Sequence, residues 1–336
     1  MQVSIEIATW THNNHGLFDY ESKELKTSKI IVRNTTNLIL NEDNLDTIQQ
    51  SNNQISLDCI GQISFEDNAI YFKSNPDFQD AYVKLDPKQR QQLYVGDLFK
   101  FGRMEYFVSE LNNGDKIMMA KDHYNLDRHI KIQKKEVPRQ CRFCFVEDQE
   151  QTEDPKNPYL SDLCSCKGLM AYVHYECLKQ WVNFQNRISC KQTQNTVQYH
   201  WNQVLECDVC KDPLPARIYI ENQPEPLQMI QIEKLDGPYI ILEQITRQES
   251  LSKSLTFMHA FGTCSVSIGR GHNSEIRCQD ISVSRNHANI SYEQAWYIQD
   301  QGSKFGTLRI IQNKLQLLKE VQEIQIGRVL LKIKII

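Results

Sequence analysis

Residues 141–210 hold eight cysteines and two histidines, and seven of those cysteines with one histidine come in pairs: Cys141-x2-Cys144, Cys164-x-Cys166, His174-x2-Cys177 and Cys207-x2-Cys210. Two soft donors on one turn hold a metal ion without ordering a long loop between them, and a second pair closes the tetrahedron. Eight ligands in four pairs therefore predict two four-coordinate, structural zinc sites. Four ordered pairs argue against chance clustering and against a lone redox pair. A stretch of about 70 residues is small for a self-sufficient core, so bound metal would supply folding free energy there. The remaining cysteines, Cys59, Cys190, Cys264 and Cys278, lie apart.

Eleven cysteines in 336 residues are enough for a disulfide scaffold, so compartment matters. The opening MQVSIEIATW has neither the basic flank nor the apolar run of a secretion signal. The expected address is cytoplasmic or nuclear, where clustered thiols more often hold metal. No run of apolar residues approaches membrane-spanning length, and a net charge of −4 gives no basic footprint for nucleic acid or an anionic membrane. Neither partner is expected.

Past the cysteines, KDPLPARIYIENQPEPLQ (211–228) carries four prolines and reads as a linker. Short alternating segments follow, among them YIILEQI, SVSIGR, ANISYEQ, AWYIQD, TLRIIQ and VLLKIKI. Period-two alternation with turn residues between predicts an antiparallel β-sandwich. The first 115 residues repeat part of this pattern. QISFEDNAIYFKS (62–74) aligns with NISYEQAWYIQD (289–300), placing Ile63 with Ile290, Phe65 with Tyr292, Tyr71 with Tyr297 and Phe72 with Ile298. LFKFGRMEYFV (98–108) aligns with EIQIGRVLLKI (323–333), Gly-Arg in register.

The zinc segment resembles the RING-CH (RING-variant) finger more than the PHD finger. Its second pair is spaced by one residue, seven residues separate Cys166 from His174, and Trp181 follows the sixth ligand, while Leu205 stands where a PHD finger has an aromatic. The 29 residues between Cys177 and Cys207 are slightly long for the family, and Cys190 falls among them. The resemblance implies a cross-brace: Cys141, Cys144, His174 and Cys177 on one ion, Cys164, Cys166, Cys207 and Cys210 on the other. It further implies ubiquitin ligase activity without a catalytic residue of the chain's own. Such a domain holds a loaded ubiquitin-conjugating enzyme and orients its thioester. The docking residues would be Phe143, Trp181 and Lys211. Leu178, Trp181 and Val182 share one face of the helix in HYECLKQWVNF, so Leu178 reads as core and Trp181 as either core or docking residue.

The C-terminal segment resembles a forkhead-associated (FHA) domain through IGRGHN (268–273), SVSRNHANI (282–290) and DQGSKFGT (300–307). The resemblance implies binding of phosphothreonine proteins through Arg270, Ser284, Arg285 and Lys304, with His287 tying the loop together. Phe305 stands where the family has an asparagine that holds the peptide backbone. In the N-terminal copy the phosphate loops are missing, and Asp58 lies near where an arginine belongs.

The expected architecture is mainly β with a small zinc-bound α+β module: two FHA-type β-sandwiches flanking a cross-braced RING-CH finger. Its division is a degenerate FHA-like sandwich at 1–115, a linker at 116–140, the zinc finger at 141–211, a proline-rich linker at 212–227 and the FHA domain at 228–336. Two functions stand side by side. One is a ligase that recruits phosphorylated partners; the other is a non-enzymatic, zinc-braced scaffold or adaptor built into a larger assembly.

Overall fold

The strand Val3–Trp10 sets the pattern for the first half of the molecule. Its alternating Val3, Ile5 and Ile7 are buried and Glu6 is exposed, as period-two alternation demands of a strand with one face on a core. In the computed structural model it lies between Leu25–Val32 and Val329–Ile335, antiparallel to both. The structure describes residues 2–10, 25–41, 44–49, 59–75, 77–120, 127–130, 140–147, 156–184, 188–193, 196–201, 206–215, 217–221, 223, 226–229, 236–245, 257–261 and 265–336. The fold is mostly β, with one α-helix among the described residues.

Two units divide the chain: residues 1–106 together with 265–336, and residues 107–264. This differs from the linear division expected above, because strands from both ends of the sequence share sheets in the first unit. One sheet there runs Leu25–Val32, Val3–Trp10, Val329–Ile335, Gln322–Ile326, Ala81–Lys84, Thr307–Ile310, Leu98–Phe101. A second runs Asn44–Gln49, Thr36–Asn41, Cys59–Glu66, Ala69–Ser74, Lys314–Gln316. A third runs Ile276–Arg277, Val266–Gly269, Ala288–Tyr292, Trp296–Asp300, Gln91–Gln92.

The aligned repeat is visible in the registers. Ile63 faces Phe72 and Phe65 faces Ile70 in one hairpin; Ile290 faces Ile298 and Tyr292 faces Trp296 in the other. After Ala81–Lys84 and after Thr307–Ile310, however, each copy sends its closing strands to the other. Gln91–Gln92 pairs with Trp296–Asp300, while Lys314–Gln316 pairs with Ala69–Ser74. Leu98–Phe101 pairs with Thr307–Ile310, while Gln322–Ile326 pairs with Ala81–Lys84. Exchange of like elements replaces one set of strand pairings with another of the same kind, which is why such swaps cost little.

The cores follow the exchange. Val3, Ile5, Leu38, Ile60, Ile63 and Phe72 pack in one cluster with Ile311, Leu317, Ile324, Ile326, Leu331 and Ile333. In return, the Phe101 ring meets His287 edge-on at 5.3 Å, and the Tyr106 hydroxyl lies 3.4 Å from Cys278 Sγ. The aligned Gly102 and Gly327 both turn their hairpins in the left-handed region, at φ +58° and +51°, where a side chain is strained.

In the second unit, a hairpin of Ile188–Gln192 and Thr196–Trp201 occupies the long gap between Cys177 and Cys207 and pairs onward to Phe257–Phe261 and Tyr239–Ile245. Both expected linkers contain paired strand. Arg217–Ile220 runs parallel to Asp127–Ile130 and antiparallel to Leu227–Gln228. Arg217 is buried against Glu243 in a charge-assisted pair, which removal of either partner would turn into a stranded charge.

Candidate zinc centres and phosphopeptide loops

The Cys141 and Cys207 turns are built alike. Cys141 donates its N–H to Val146 O and accepts from Phe145 N–H, at 3.0 and 2.8 Å. Cys207 does the same with Asp212 O and Lys211 N–H, at 2.8 and 3.1 Å. Phe145 and Lys211, each just past the second cysteine of its pair, take φ +59° and +63°. Both turns close as small antiparallel bridges, Gln140 with Glu147 and Glu206 with Pro213. Backbone amides aimed inward stabilise thiolate charge.

The other two pairs come from different local structure. Tyr159–Leu160 pairs with Val173–His174, which delivers His174 to the start of helix α1 (Tyr175–Phe184) and Cys177 to its first turn. The Glu176 N–H is capped by Asn157 Oδ1 at 2.9 Å. The Cys164–Cys166 loop is tied to the last turn by Asp212, whose Oδ2 accepts the Ser165 N–H at 2.7 Å.

These elements bring the ligand atoms of Cys141, Cys144, His174 and Cys177 within 4.8 Å of one another, and those of Cys164, Cys166, Cys207 and Cys210 likewise. Cys190 lies in the strand Ile188–Gln192. His174 turns Nδ1 to the first set, 3.3 Å from Cys144 Sγ and 3.8 Å from Cys177 Sγ. Cys166 and Cys207 Sγ are 3.7 Å apart. Zn–S bonds of about 2.3 Å in a tetrahedron separate sulfurs by about 3.8 Å, so both donor sets fit a zinc ion by chemistry and by size. Burial, then the neighbouring sulfurs, pushes Cys166 and Cys177 up to about 12. Burial also opposes ionisation of Cys207, but N–H groups of Cys210 and Val209 bring it down to about 7. Crowded thiols that resist joint ionisation are what a dication resolves.

Beside the first set, the Phe143 and Trp181 rings stack at 5.8 Å with 27° between planes. Both are half-buried, and with Gln180, Asn183 and Phe184 they line an open groove next to Cys144 and Cys177. Phe184 is 88% exposed, whereas Leu178 is core at 1%. Lys211 is exposed and does not line this groove; its Nζ is 4.0 Å from Glu206 Oε1.

The predicted phosphate residues converge from three loops of the first unit. Arg270 N–H donates to Ser284 O at 3.0 Å, and Lys304 N–H donates to Ser284 Oγ at 3.0 Å. Arg270, Arg285 and Lys304 are exposed and Ser284 is half-buried. His287 is fully buried; its Nδ1 accepts the Ser284 N–H at 3.1 Å and its Nε2 lies 3.3 Å from Gly306 O. Burial holds it below the ordinary histidine value, against the pull of Asp300 and the Gly306 carbonyl. A Cβ on Gly269 would fall 2.2 Å from Arg285 O, so only glycine lets these loops meet. Lys304 Nζ sits over the Phe305 ring at 5.6 Å. Asp58 lies outside the described residues.

Two contributors were missed from sequence. Arg103 donates its N–H to Ser282 Oγ at 2.9 Å and pairs with Asp280 at 3.0 Å, bracing the loop that carries Ser284. Its Gly-Arg motif was visible, but not which copy's loop it would meet. Arg142, between two ligands, reaches toward the other ligand set.

Residues 141–193 match the RING-variant domain and residues 266–330 the FHA domain. The chain thus joins a zinc-binding RING-variant module to an FHA module. Among curated proteins it is similar to the ERAD-associated E3 ubiquitin-protein ligase DOA10 of Saccharomyces cerevisiae, 36% identical over 25% of this chain and 5% of that protein. It is also similar to the "Probable E3 ubiquitin ligase SUD1" of Arabidopsis thaliana, 30% identical over 25% of this chain and 7% of that one. The alignments therefore span a small fraction of either relative's length.

Proposed function

We propose that this chain is a RING-type ubiquitin ligase. Its zinc module holds a loaded ubiquitin-conjugating enzyme through the groove of Phe143 and Trp181, and its FHA loops recruit phosphothreonine proteins through Arg270, Ser284, Arg285 and Lys304. The observation that carries the reading is the stacked Phe143–Trp181 pair left open beside the first ligand set. Half-buried aromatics with an exposed apolar neighbour are what partner surfaces use as anchors. Lys211 would reach ubiquitin from the last zinc turn. The names of the two relatives support the activity. Zinc, when bound, would fix these loops; the chain contributes orientation and no nucleophile.

The N-terminal strands are read as a second, degenerate FHA-like sandwich that binds no phosphate. No helix among the described residues is long and apolar enough to cross a membrane, and a cytoplasmic or nuclear address remains part of the proposal. Autoubiquitination by the full chain across a panel of conjugating enzymes tests the reading. Activity lost in Phe143→Ala/Trp181→Ala with both zinc ions retained is the expected result. No activity with any enzyme would favour the second reading, a scaffold, which Phe305 beneath Lys304 independently supports because the peptide-holding amide is missing.

A further inference from the structure

Arg142 sits between Cys141 and Cys144, yet its side chain, 5% exposed, points to the other ligand set. Nη1 lies 3.5 Å from Cys207 Sγ, 3.8 Å from Cys166 Sγ and 3.1 Å from Met170 O. Nη2 lies 3.1 Å from Asp208 Oδ1. The backbone N–H of the same residue donates to Tyr172 O at 3.1 Å, just ahead of His174. One residue thus has its main chain in the first ligand turn and its charge at the second.

The two sets differ in the charge they would carry. Three thiolates and a neutral imidazole around a dication leave a net charge of about −1, while four thiolates leave about −2. A buried excess charge is costly unless paired and hydrogen-bonded. A charged donor on sulfur also makes the thiolate a weaker nucleophile and harder to protonate off the metal, an outer-shell effect that tunes metal sites. Arg142 is the cation that meets this need, and its fork can serve two sulfurs, a carbonyl and a carboxylate at once.

We propose that Arg142 is the positioning counter-ion of the Cys164, Cys166, Cys207 and Cys210 centre, and that through it filling of the first ligand set strengthens zinc retention at the second. Coupling of this kind is reciprocal: zinc at the second site orders the Cys141 turn. The idea rests on the zinc reading but has its own signature, because loss of zinc binding altogether would break that reading whereas selective loss at one centre concerns Arg142.

The test uses the full chain, as parent, Arg142→Met and Arg142→Lys, with Arg90→Met, at an exposed arginine of the first unit paired with Glu293, as a control. Zinc release to excess EDTA is followed with time while thiols are alkylated and mapped. The parent should release both ions in one phase. Arg142→Met should release one ion at least about tenfold faster, an effect of the size lost with one charge-assisted hydrogen bond. Cys164, Cys166, Cys207 and Cys210 should be alkylated ahead of Cys141, Cys144 and Cys177. Arg142→Lys, which keeps the charge but not the fork, should fall between. Arg90→Met should release zinc as the parent does. Parent-like release in Arg142→Met would overturn the proposal, and so would equal acceleration at all seven cysteines, which marks general loss of packing. If Arg142→Met does not fold, Arg142→Lys carries the test alone: faster loss at the second centre supports the proposal and even loss rejects it.

Discussion

Val83 and Arg309 stand opposite each other in an antiparallel pair, and each belongs to a strand whose outer neighbour comes from the far half of the chain. The pair is the pivot of the exchange between the two copies. Side chains near the C-terminus therefore hold up strands near the N-terminus.

The first prediction follows from that packing. Ile324 and Leu331 are fully buried in the cluster that contains Val3, Ile5 and Phe72. Ile324→Ala or Leu331→Ala should destabilise the first unit by about 2–5 kcal/mol. Amide exchange should quicken in Val3–Trp10 as much as in Val329–Ile335. Exchange that quickens only at the C-terminus would contradict the pairing. By the same argument, residues 228–336 expressed alone lack Phe101 and Tyr106, and they should not give a monomer with the native near-ultraviolet spectrum.

Metal content is the second prediction. Fresh, reduced protein should hold two zinc ions per chain, because two separate donor sets have tetrahedral spacing. Chelation should expose thiols and α1 while the β signal of the first unit persists, since its core contains no metal ligand. One ion per chain by elemental analysis would rule out one of the two sets.

Trp181 and Leu178 should separate cleanly in a third experiment. Leu178 is core, so Leu178→Ala should cost stability, about 2–5 kcal/mol. Trp181→Ala should leave both zinc ions bound yet slow ubiquitin discharge from the conjugating enzyme by tenfold or more, as hot-spot truncation does. A Trp181 variant that discharges normally would mean the groove is not the docking face.

Phosphothreonine binding is the fourth. In the full chain, Arg270→Ala should weaken binding about tenfold or more, given about 1.5–3 kcal/mol for a charge-assisted hydrogen bond. Salt should weaken binding in the parent, and less so in the variant. Equal affinity for the unphosphorylated peptide would remove the loops from the function.

His287 gives a fifth, in pH. Folded His287 titrates below the ordinary value of about 6.5. As pH falls below about 6.5 the unfolded chain takes up this proton before the folded one does, so the contribution is full above that pH and is lost toward the folded value. His287→Gln should lower the melting temperature at pH 7.5 and shrink the further drop between pH 7.5 and 5.5. Unchanged acid sensitivity in the variant would show that other groups govern it.

Several of these features were legible in the residues themselves. The ligand pairs could be read because thiol spacing is local chemistry: Cys141 and Cys144 need only one turn to meet. The repeat could be read because Ile63 and Ile290 occupy the same place in the same register. The exchange could not. Phe99 and Phe101 offer a neighbouring strand the same buried positions as Ile324 and Ile326, so nothing local tells a closing hairpin which copy to join. Proline between 211 and 228 suggested a linker, yet Arg217 finds Glu243 and anchors a strand there. Arg142 carries no signal in the sequence, because its reach to Cys166 and Cys207 depends on how the loops fold together.

The crossed strands of the first unit also change what a cut in the backbone means. Among the described residues, 1–106 and 265–336 meet through six strand pairings, and Gln2 and Ile336 exchange hydrogen bonds in both directions. A protease that nicks the chain anywhere between them leaves two fragments that each lack half of a core. Such fragments should stay together as a complemented pair, eluting as one particle until denaturant parts them. Fused to the halves of a split reporter, they would form a self-assembling tag.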